Sequence, residues 1–242
     1  MEKIGFGALG EIFLQDDKIY KVIKNLNMYD TLLEIKKKEE AINNIYPIPK
    51  TYEINKGKKE IVVVKEYVKG ITLEEAFRKG TFDLSFLLTE MIKLQFDINS
   101  HPFNFNYKYS DKIKKSLEKV TISNKEEIYN FLSTLKENML CHGDFHPQNI
   151  IVNDNTLRAI DWDNASAGDP LMDVARSFLL LYINEKEVAK IYLKAYLDNK
   201  KIDVIQIYPY LKCIAVEFLT EKSNSSNKKI LNDILNNEFV IE

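Results

Sequence analysis

Arginine is scarce in this chain. Of the 34 basic residues, only Arg78, Arg158 and Arg176 are arginine, and the rest are lysine. Arginine can bind phosphate through two parallel hydrogen bonds, and proteins use it for this purpose in nucleic-acid recognition. Its scarcity therefore argues against a nucleic-acid-binding surface. The formal net charge of −2 gives no electrostatic drive towards nucleic acid either. We therefore expect no nucleic-acid partner.

Cysteines and long apolar stretches are also scarce. Cys141 and Cys213 are the two cysteines, too few for a disulfide framework or a metal cluster. The longest apolar run, 178–183, is far shorter than the roughly 20 residues that span a membrane. The N-terminus lacks the basic and then apolar pattern of a signal peptide. These features predict a cytoplasmic protein without a membrane partner.

The distribution of apolar residues changes about one third of the way along the chain. Before Gly70 the pattern predicts one helix from Met28 to Ile45 and strands at Glu11–Leu14, Ile19–Ile23, Lys50–Asn55 and Glu60–Tyr67. After Gly70, helical spacing dominates and is interrupted by one small hairpin between Asn149 and Ile160. We predict an α+β protein with a β-rich N-terminal lobe, residues 1–69, and a larger helical C-terminal lobe, residues 70–242.

The strongest chemical signal is HGDFHPQN, residues 142–149. Asp144 precedes Asn149 by five residues, which is the aspartate-to-asparagine spacing of a kinase catalytic loop. A second carboxylate, Asp161, follows after the small hairpin. In phosphoryl transfer one carboxylate orients the acceptor hydroxyl and takes its proton, while an amide oxygen and another carboxylate hold Mg²⁺ against the phosphates of ATP. We predict Asp144 as the catalytic residue, and Asn149 and Asp161 as metal ligands.

The other polar residues of this region have less specific patterns. His142 and His146 stand four apart, which suits zinc when both project from one helix face. The glycine and proline beside them disfavour a helix, so we expect His142 to brace the loop by hydrogen bonds. Asp163 either reaches a second metal ion or caps the next turn. Asp173 lies at the start of a helix, where we expect it to anchor the catalytic loop.

The N-terminus contains GFGALG, residues 5–10, which has the form G-x-G-x-x-G. A dinucleotide-binding fingerprint needs a full strand before this pattern and a helix after it, whereas here a strand follows. We therefore predict a glycine-rich hairpin in which Gly5, Gly7 and Gly10 cover the phosphates of ATP. A flexible terminal turn is the alternative.

Lys21 is a charged residue inside an otherwise apolar strand, and a buried ammonium group needs a partner. We predict that it binds the α- and β-phosphates and pairs with Glu34 on the next helix. Lys24 is the alternative lysine, and Glu39 and Glu40 are the alternative glutamates.

The segment Glu66-Tyr67-Val68 ends the last early strand. In a two-lobed kinase it would be the hinge, where the backbone of Glu66 and Val68 recognises adenine. Lys65 precedes it, at a place that normally carries an apolar residue behind the adenine pocket. ATP is the expected nucleotide, with GTP as the alternative.

HGDFHPQN followed by AIDWDNASAGDPLMDVARS closely resembles the aminoglycoside phosphotransferase and choline kinase family, also called the phosphotransferase enzyme family. The resemblance extends over essentially the whole chain. It implies a protein-kinase-like bilobal fold, ATP, Mg²⁺ and transfer of the γ-phosphoryl group to a hydroxyl of a small molecule. On this resemblance Asp144 is the catalytic aspartate, and Lys21 forms an ion pair with Glu34.

The spacing after the second aspartate argues against a protein substrate. Only seven residues separate Asp161 from Asp169, whereas protein kinases place a long activation segment after the equivalent aspartate. We expect a small hydroxyl compound instead: an aminoglycoside, a choline-like compound, a sugar or another metabolite. A nucleotide-binding pseudokinase that regulates a partner is the first alternative and a protein kinase the second. The oligomeric state is left open.

Overall fold

A five-stranded antiparallel sheet begins the fold in a computed structural model that describes residues 1–7, 9–154, 156–221 and 227–241. Its strands are β1 (Glu2–Gly7), β2 (Gly10–Gln15), β3 (Lys18–Ile23), β4 (Thr51–Lys56) and β5 (Ile61–Glu66). They lie side by side in the order β1-β2-β3-β5-β4. Asp16 and Asp17 join β2 to β3 with φ angles of 50° and 54°, which matches the left-handed pair of a tight two-residue hairpin.

Helix α1, Tyr29–Asn43, connects β3 to β4 and covers one face of this sheet. Its Leu32 is buried against Ile23, Ile61 and Val63 of the central strands. β-Branched residues suit such a pleated, half-buried surface. Sheet and helix therefore share a small hydrophobic core of their own.

The rest of the described chain is mainly helical. The helices are α2 (Leu73–Lys79), α3 (Leu84–Asn99), α4 (Tyr109–Leu117), α5 (Lys125–Thr134), α6 (Pro170–Asn184), α7 (Lys186–Lys200), α8 (Tyr208–Thr220) and α9 (Lys228–Leu235). Five short strands lie among them: β6 (Ile71–Thr72), β7 (Met139–Cys141), β8 (Ile150–Asn153), β9 (Thr156–Ala159) and β10 (Ser166–Gly168). They form a β6-β8-β9 sheet and a β10-β7 pair.

Helix α6 lies at the centre of the larger hydrophobic core. It buries both apolar residues, such as Phe178, and charged ones, namely Asp173 and Arg176. The helix starts sharply because the Asp169 side chain accepts the backbone N–H of Leu171 at 3.0 Å. Pro170, at the first helical position, has no N–H that needs a partner. The fixed start of α6 sets the positions of its two buried charges.

The structure reproduces the predicted alternation of elements closely. The predicted helix at 28–45 is α1, the predicted hairpin at 149–160 is β8 and β9, and the early strands shift by one or two residues. The predicted glycine hairpin is formed by β1 and β2, with Gly7 opposite Gly10. Sequence reasoning missed the short strands β6, β7 and β10, as well as α2. The lobe boundary after residue 69 stays a prediction. Within the described ranges, no helix is both long and apolar enough to cross a membrane.

Candidate active site

A cavity of about 650 Å³ lies between the sheet, α1 and the segments that follow β7 and β9. It brings together residues that are far apart in sequence. Its lining is Gly7, Leu9, Gly10, Lys21, Thr31, Glu34, Ile35, Lys38, Phe105, Tyr107, Lys112, Asp144, Asp161, Asp163 and Asn164. Six of the predicted site residues are in this set: Gly7, Gly10, Lys21, Glu34, Asp144 and Asp161.

The loop between β7 and β8 is held in place by hydrogen bonds to a side chain of α6. Asp173 accepts the backbone N–H groups of His142 and Gly143, both at 2.7 Å, and is itself buried. Gly143 has φ +76°, and a Cβ there would lie 2.2 Å from the carbonyl oxygen of Asn164. The anchoring role predicted for Asp173 is confirmed by these contacts, and only glycine fits at 143.

His142 braces the same loop from the inside. Its Nε2 lies 3.0 Å from the carbonyl oxygen of Ile160, and its Nδ1 accepts the backbone N–H of Asp144 at 3.3 Å. Burial lowers the pKa of His142, although the carboxylates of Asp173 and Asp144 oppose this shift. The neutral ring, with its proton on Nε2, satisfies both contacts. His142 is therefore the predicted loop brace.

Asp144 has a partner on each carboxylate oxygen. Oδ1 accepts Nε and Nη2 of Arg176 at 3.1 and 3.0 Å, and Oδ2 accepts Nδ2 of Asn149 at 3.2 Å. Nε2 of His146 lies 3.5 Å from Oδ2. Burial alone would raise the pKa of Asp144, but hydrogen bonding to His146 and the charge of Arg176 hold it well below its usual range. The carboxylate is ionised and fixed in orientation.

Arg176 is a site residue that sequence reasoning missed. Its side chain is 6% exposed, and its Nη1 donates to Glu217 at 2.7 Å while the other two nitrogens bind Asp144. The sequence nevertheless contained a feature that could have identified Arg176. One of three arginines stands in the apolar run of α6, one helical turn after Asp173, where a charged side chain needs a buried partner.

Lys21 reaches across the cavity to the loop after β9. Its Nζ lies 2.9 Å from Oδ1 of Asp161. The alternative lysine, Lys24, is exposed. Gly10 allows β2 and β3 to lie close together here, because a Cβ at this position would be 2.0 Å from the carbonyl oxygen of Val22. Gly5 does not line the cavity, and residue 8 of the glycine segment lies outside the described residues.

The predicted ion pair between Lys21 and Glu34 is wrong in this structure. Glu34 accepts Lys37 at 3.1 Å on the solvent side of α1, with 72% of its side chain exposed. The buried glutamate of α1 is Glu39, and it is bound at 2.8 Å by Lys65. Five residues at 100° each separate Glu34 and Glu39 by roughly 140° around the helix, so only one of them can point inwards.

Lys65 also explains the position of Asp163. Its Nζ lies 3.1 Å from Oδ1 of Asp163, so one ammonium group bridges two carboxylates. Burial raises the pKa of Asp163, but Lys65 and Lys21 outweigh it and bring this pKa to about 2. The observed partner of Asp163 is therefore Lys65 rather than a backbone group of the next turn, and its role as a metal ligand stays a prediction.

The remaining predicted residues lie outside the cavity lining. Glu66 ends β5, where its backbone N–H donates to Lys50 at 2.8 Å and its carboxylate binds Arg158 at 2.6 Å. Val68 follows the strand and is half-buried. Adenine recognition by these two residues stays a prediction.

Asn149 lies behind Asp144 and adjoins the Asp161 segment. Its amide nitrogen donates to the carbonyl oxygen of Asp144 at 3.0 Å, and its backbone carbonyl accepts the N–H of Ile160 at 2.9 Å. The amide oxygen thus remains as the atom for a metal ligand. Among the described residues, no group of three or more His, Cys, Asp or Glu is arranged to hold a metal ion.

The fold is protein-kinase-like, as three solved structures show. A thermostable mutant of the aminoglycoside phosphotransferase APH(4)-Ia, in a ternary complex with AMP-PNP and hygromycin B, matches at 15% identity and a TM-score of 0.69, covering 97% of this chain and 90% of that one. The choline kinase LicA from Streptococcus pneumoniae matches at 18% identity and a TM-score of 0.65, covering 98% and 93%. The amicoumacin kinase hAmiN, in complex with AMP-PNP, Ca²⁺ and Ami, matches at 12% identity and a TM-score of 0.64, covering 97% and 87%. The predicted α+β, bilobal fold is confirmed.

Part of the chain also resembles a known family in sequence. The model of the phosphotransferase enzyme family matches residues 111–208, which hold the loop after β7, Asp161 and α6. Over that segment the match agrees with the family predicted from the motifs. No curated protein sequence matches the chain.

Proposed function

We propose that this protein is a kinase that uses ATP and Mg²⁺ to phosphorylate a hydroxyl group of a small molecule. The observation that carries the proposal is the meeting of Asp144, Lys21 and Asp161 in one cavity of about 650 Å³, a size typical of small-molecule sites. The family match over residues 111–208 supports the same reaction class. The three structural relatives, an aminoglycoside phosphotransferase, a choline kinase and an amicoumacin kinase, are also consistent with it.

The reaction follows from the geometry of the cavity wall. The acceptor oxygen forms a bond to the γ-phosphorus as the bond from that phosphorus to the leaving oxygen of ADP breaks. The hydroxyl proton passes to Asp144 and from there to solvent. Because Arg176 and Asn149 fix both oxygens of Asp144, its main contribution is to orient the hydroxyl, and the proton transfers late.

Asn149 and Asp161 are the residues that would hold the metal ion. The amide oxygen of Asn149 and the carboxylate of Asp161 are hard oxygen donors, and Mg²⁺ in such enzymes takes one or two protein oxygens together with substrate phosphates. When bound, the ion would offset charge on the phosphates. Lys21, which contacts Asp161 in this structure, would bind the α- and β-phosphates.

Asp144→Asn tests the proposal directly. The amide keeps the shape of the side chain but neither accepts a proton nor carries the charge, so we expect turnover to fall roughly 100-fold to 10,000-fold. Mg·ATP binding, measured by calorimetry, should remain close to that of the wild type. The assay is acceptor-dependent ADP release with a panel of hydroxyl compounds. Undiminished turnover in the folded variant would refute the role of Asp144.

A further inference from the structure

The carboxylates on the cavity wall are already paired with cations of the protein. Asp144 lies 3.0 Å from Arg176, Asp161 lies 2.9 Å from Lys21, and Asp163 lies 3.1 Å from Lys65. The fourth carboxylate, Glu34, binds Lys37. A cationic acceptor entering this cavity would have to compete with a protein cation for Asp144, Asp161 and Asp163, whereas the exposed pair of Glu34 contributes little.

Lys38 is the exception among the lining cations. It is 6% exposed, and among the described residues its only hydrogen-bond acceptor is the backbone carbonyl of Asp163, at 2.8 Å. Burial lowers the pKa of Lys38 to about 8, and Lys112 contributes to this shift, while Asp163 and Glu39 oppose it. A buried ammonium group without a carboxylate in contact is costly. An anion bound in the cavity would remove that cost.

Lys112 lines the cavity beside Lys38. It binds Glu217 and lies 3.4 Å from Oδ1 of Asn164, yet 27% of its side chain stays exposed. Glu217 is 1% exposed and does not line the cavity, so it cannot recognise a cation there. The ring of Tyr107 lies 5.9 Å from the Lys38 ammonium group and forms part of the same wall.

Three lysines of the cavity lining contact the loop after β9, each at a different residue of that loop. Lys21 contacts Asp161, Lys38 contacts Asp163, and Lys112 contacts Asn164. Lys21 is on the strand next to the glycine hairpin, where the nucleotide phosphates are expected, whereas Lys38 is on α1 and Lys112 on α4. Asp144 lines the same cavity.

We propose that Lys38 and Lys112 bind an oxyanion, a carboxylate or a phosphate, carried by the acceptor, so that this kinase phosphorylates a small anionic alcohol. The assignment rests on the proposed function. It differs from the cationic aminoglycoside and choline classes suggested by the sequence resemblance.

Matched acceptors test the charge preference. Glycerate, glycerol and 3-amino-1,2-propanediol share a skeleton and differ in charge, as do 4-hydroxybutyrate, 1,4-butanediol and 4-amino-1-butanol. We expect kcat/KM to be about 10-fold to 100-fold higher for the anionic member, the effect of one charge-assisted hydrogen bond. Lys38→Met should abolish the preference and Lys38→Arg should retain much of it. Lys36→Met is the matched control, since Lys36 is on the same helix and neither Lys36 nor its partner Glu40 lines the cavity.

Two kinetic outcomes would overturn the assignment. The first is a preference for the amine-bearing member of each set, which leaves the kinase function intact. The second is a Lys38→Met variant that raises KM for ATP and keeps the acceptor preference, because the oxyanion would then be the γ-phosphate of the nucleotide.

A binding experiment decides the question even if no acceptor is phosphorylated. Inorganic phosphate is titrated into nucleotide-free protein at constant ionic strength and followed by NMR. We expect saturable shifts for wild type and Lys36→Met, and their loss in Lys38→Met and Lys112→Met. Phosphate binding with no turnover of any acceptor would count against the kinase function alone. Absence of binding in wild type would refute the oxyanion site.

Discussion

At the scale of single residues, the aspartate that we propose as catalytic is held in place by its neighbours. Asp144 is held on one oxygen by Arg176 and on the other by Asn149. Arg176 in turn bridges to Glu217, so a buried network fixes the orientation of one carboxylate. We infer that Arg176 is a positioning residue, since its partner in the cavity is Asp144.

The role of Arg176 can be separated from a purely structural one. Arg176→Met should lower kcat roughly 100-fold, a cost typical of a 1 Å misplacement. Without the guanidinium, burial raises the pKa of Asp144, so the acidic limb of kcat/KM against pH should move to higher pH. Arg176→Lys keeps the charge and should restore part of the profile. An unmoved acidic limb in a folded variant would contradict the inference.

At the scale of elements, α6 determines where the catalytic loop lies. The capped start of α6 presents Asp173 to two backbone N–H groups of the loop, and Arg176 to Asp144 one helical turn later. His142 ties the loop to β9 through Ile160. The loop is thus held by one helix and one strand rather than by its own sequence.

Because His142 is buried, we predict that the stability of the protein falls at acidic pH. Burial depresses its pKa below the ordinary 6.5, so the unfolded chain takes up this proton before the folded one does. The contribution of His142 to stability is complete above pH 6.5 and is lost as the pH falls below this value, towards the folded pKa. We expect the free energy of unfolding, from urea titrations, to fall between about pH 7 and about pH 5.

Two variants identify the titrating group. His142→Asn keeps an acceptor for the N–H of Asp144 but cannot take up a proton near neutral pH, so this slope should flatten. His101→Gln alters a histidine that is not in the loop, and the slope should persist. An equal slope in wild type and His142→Asn would show that other groups cause it.

At the scale of the whole molecule, ion pairs connect the sheet to the helical part. Lys21 of β3 binds Asp161, and Lys65 of β5 binds Asp163 as well as Glu39 of α1. The side chain of the bridging lysine is 12% exposed. Burial lowers the pKa of Lys65, but Asp163 and Glu39 outweigh it and raise this pKa. Lys65 therefore holds sheet, α1 and the loop after β9 in one arrangement.

Removing this lysine should destabilise the molecule strongly. Lys65→Met leaves Glu39 buried without its cation, and we expect a loss of about 3–5 kcal/mol in the free energy of unfolding. The double variant Lys65→Met, Glu39→Gln should recover much of it, since no buried charge remains in that pair. Urea denaturation measures both.

The control for this pair is an exposed one. Lys194 binds Asp198 on the surface of α7, with side chains 77% and 65% exposed, so Lys194→Met should change stability little. If Lys65→Met is as mild as Lys194→Met, the buried bridge is not what joins the parts of the molecule.

Local patterns were enough to predict most of the fold. Apolar periodicity gave α1, the β8-β9 hairpin and most of the early sheet, because these depend on residues near in sequence. The strands β6, β7 and β10 span only two or three residues each, so they carry too little periodicity to be recognised. They exist because neighbouring segments of the fold pair with them.

The sequence alone was enough to predict the chemistry that we propose for this protein. The five-residue spacing from Asp144 to Asn149 and the later Asp161 match the set of side chains that phosphoryl transfer uses. Only the tertiary structure decided the charge partners. In the folded chain Glu39 of α1 pairs with Lys65 rather than with Lys21. Lys38 faces the cavity without a carboxylate in contact. The physical reason is that burial and Coulomb energy depend on distances in space. The sequence of a helix with several lysines does not show which of them points inwards.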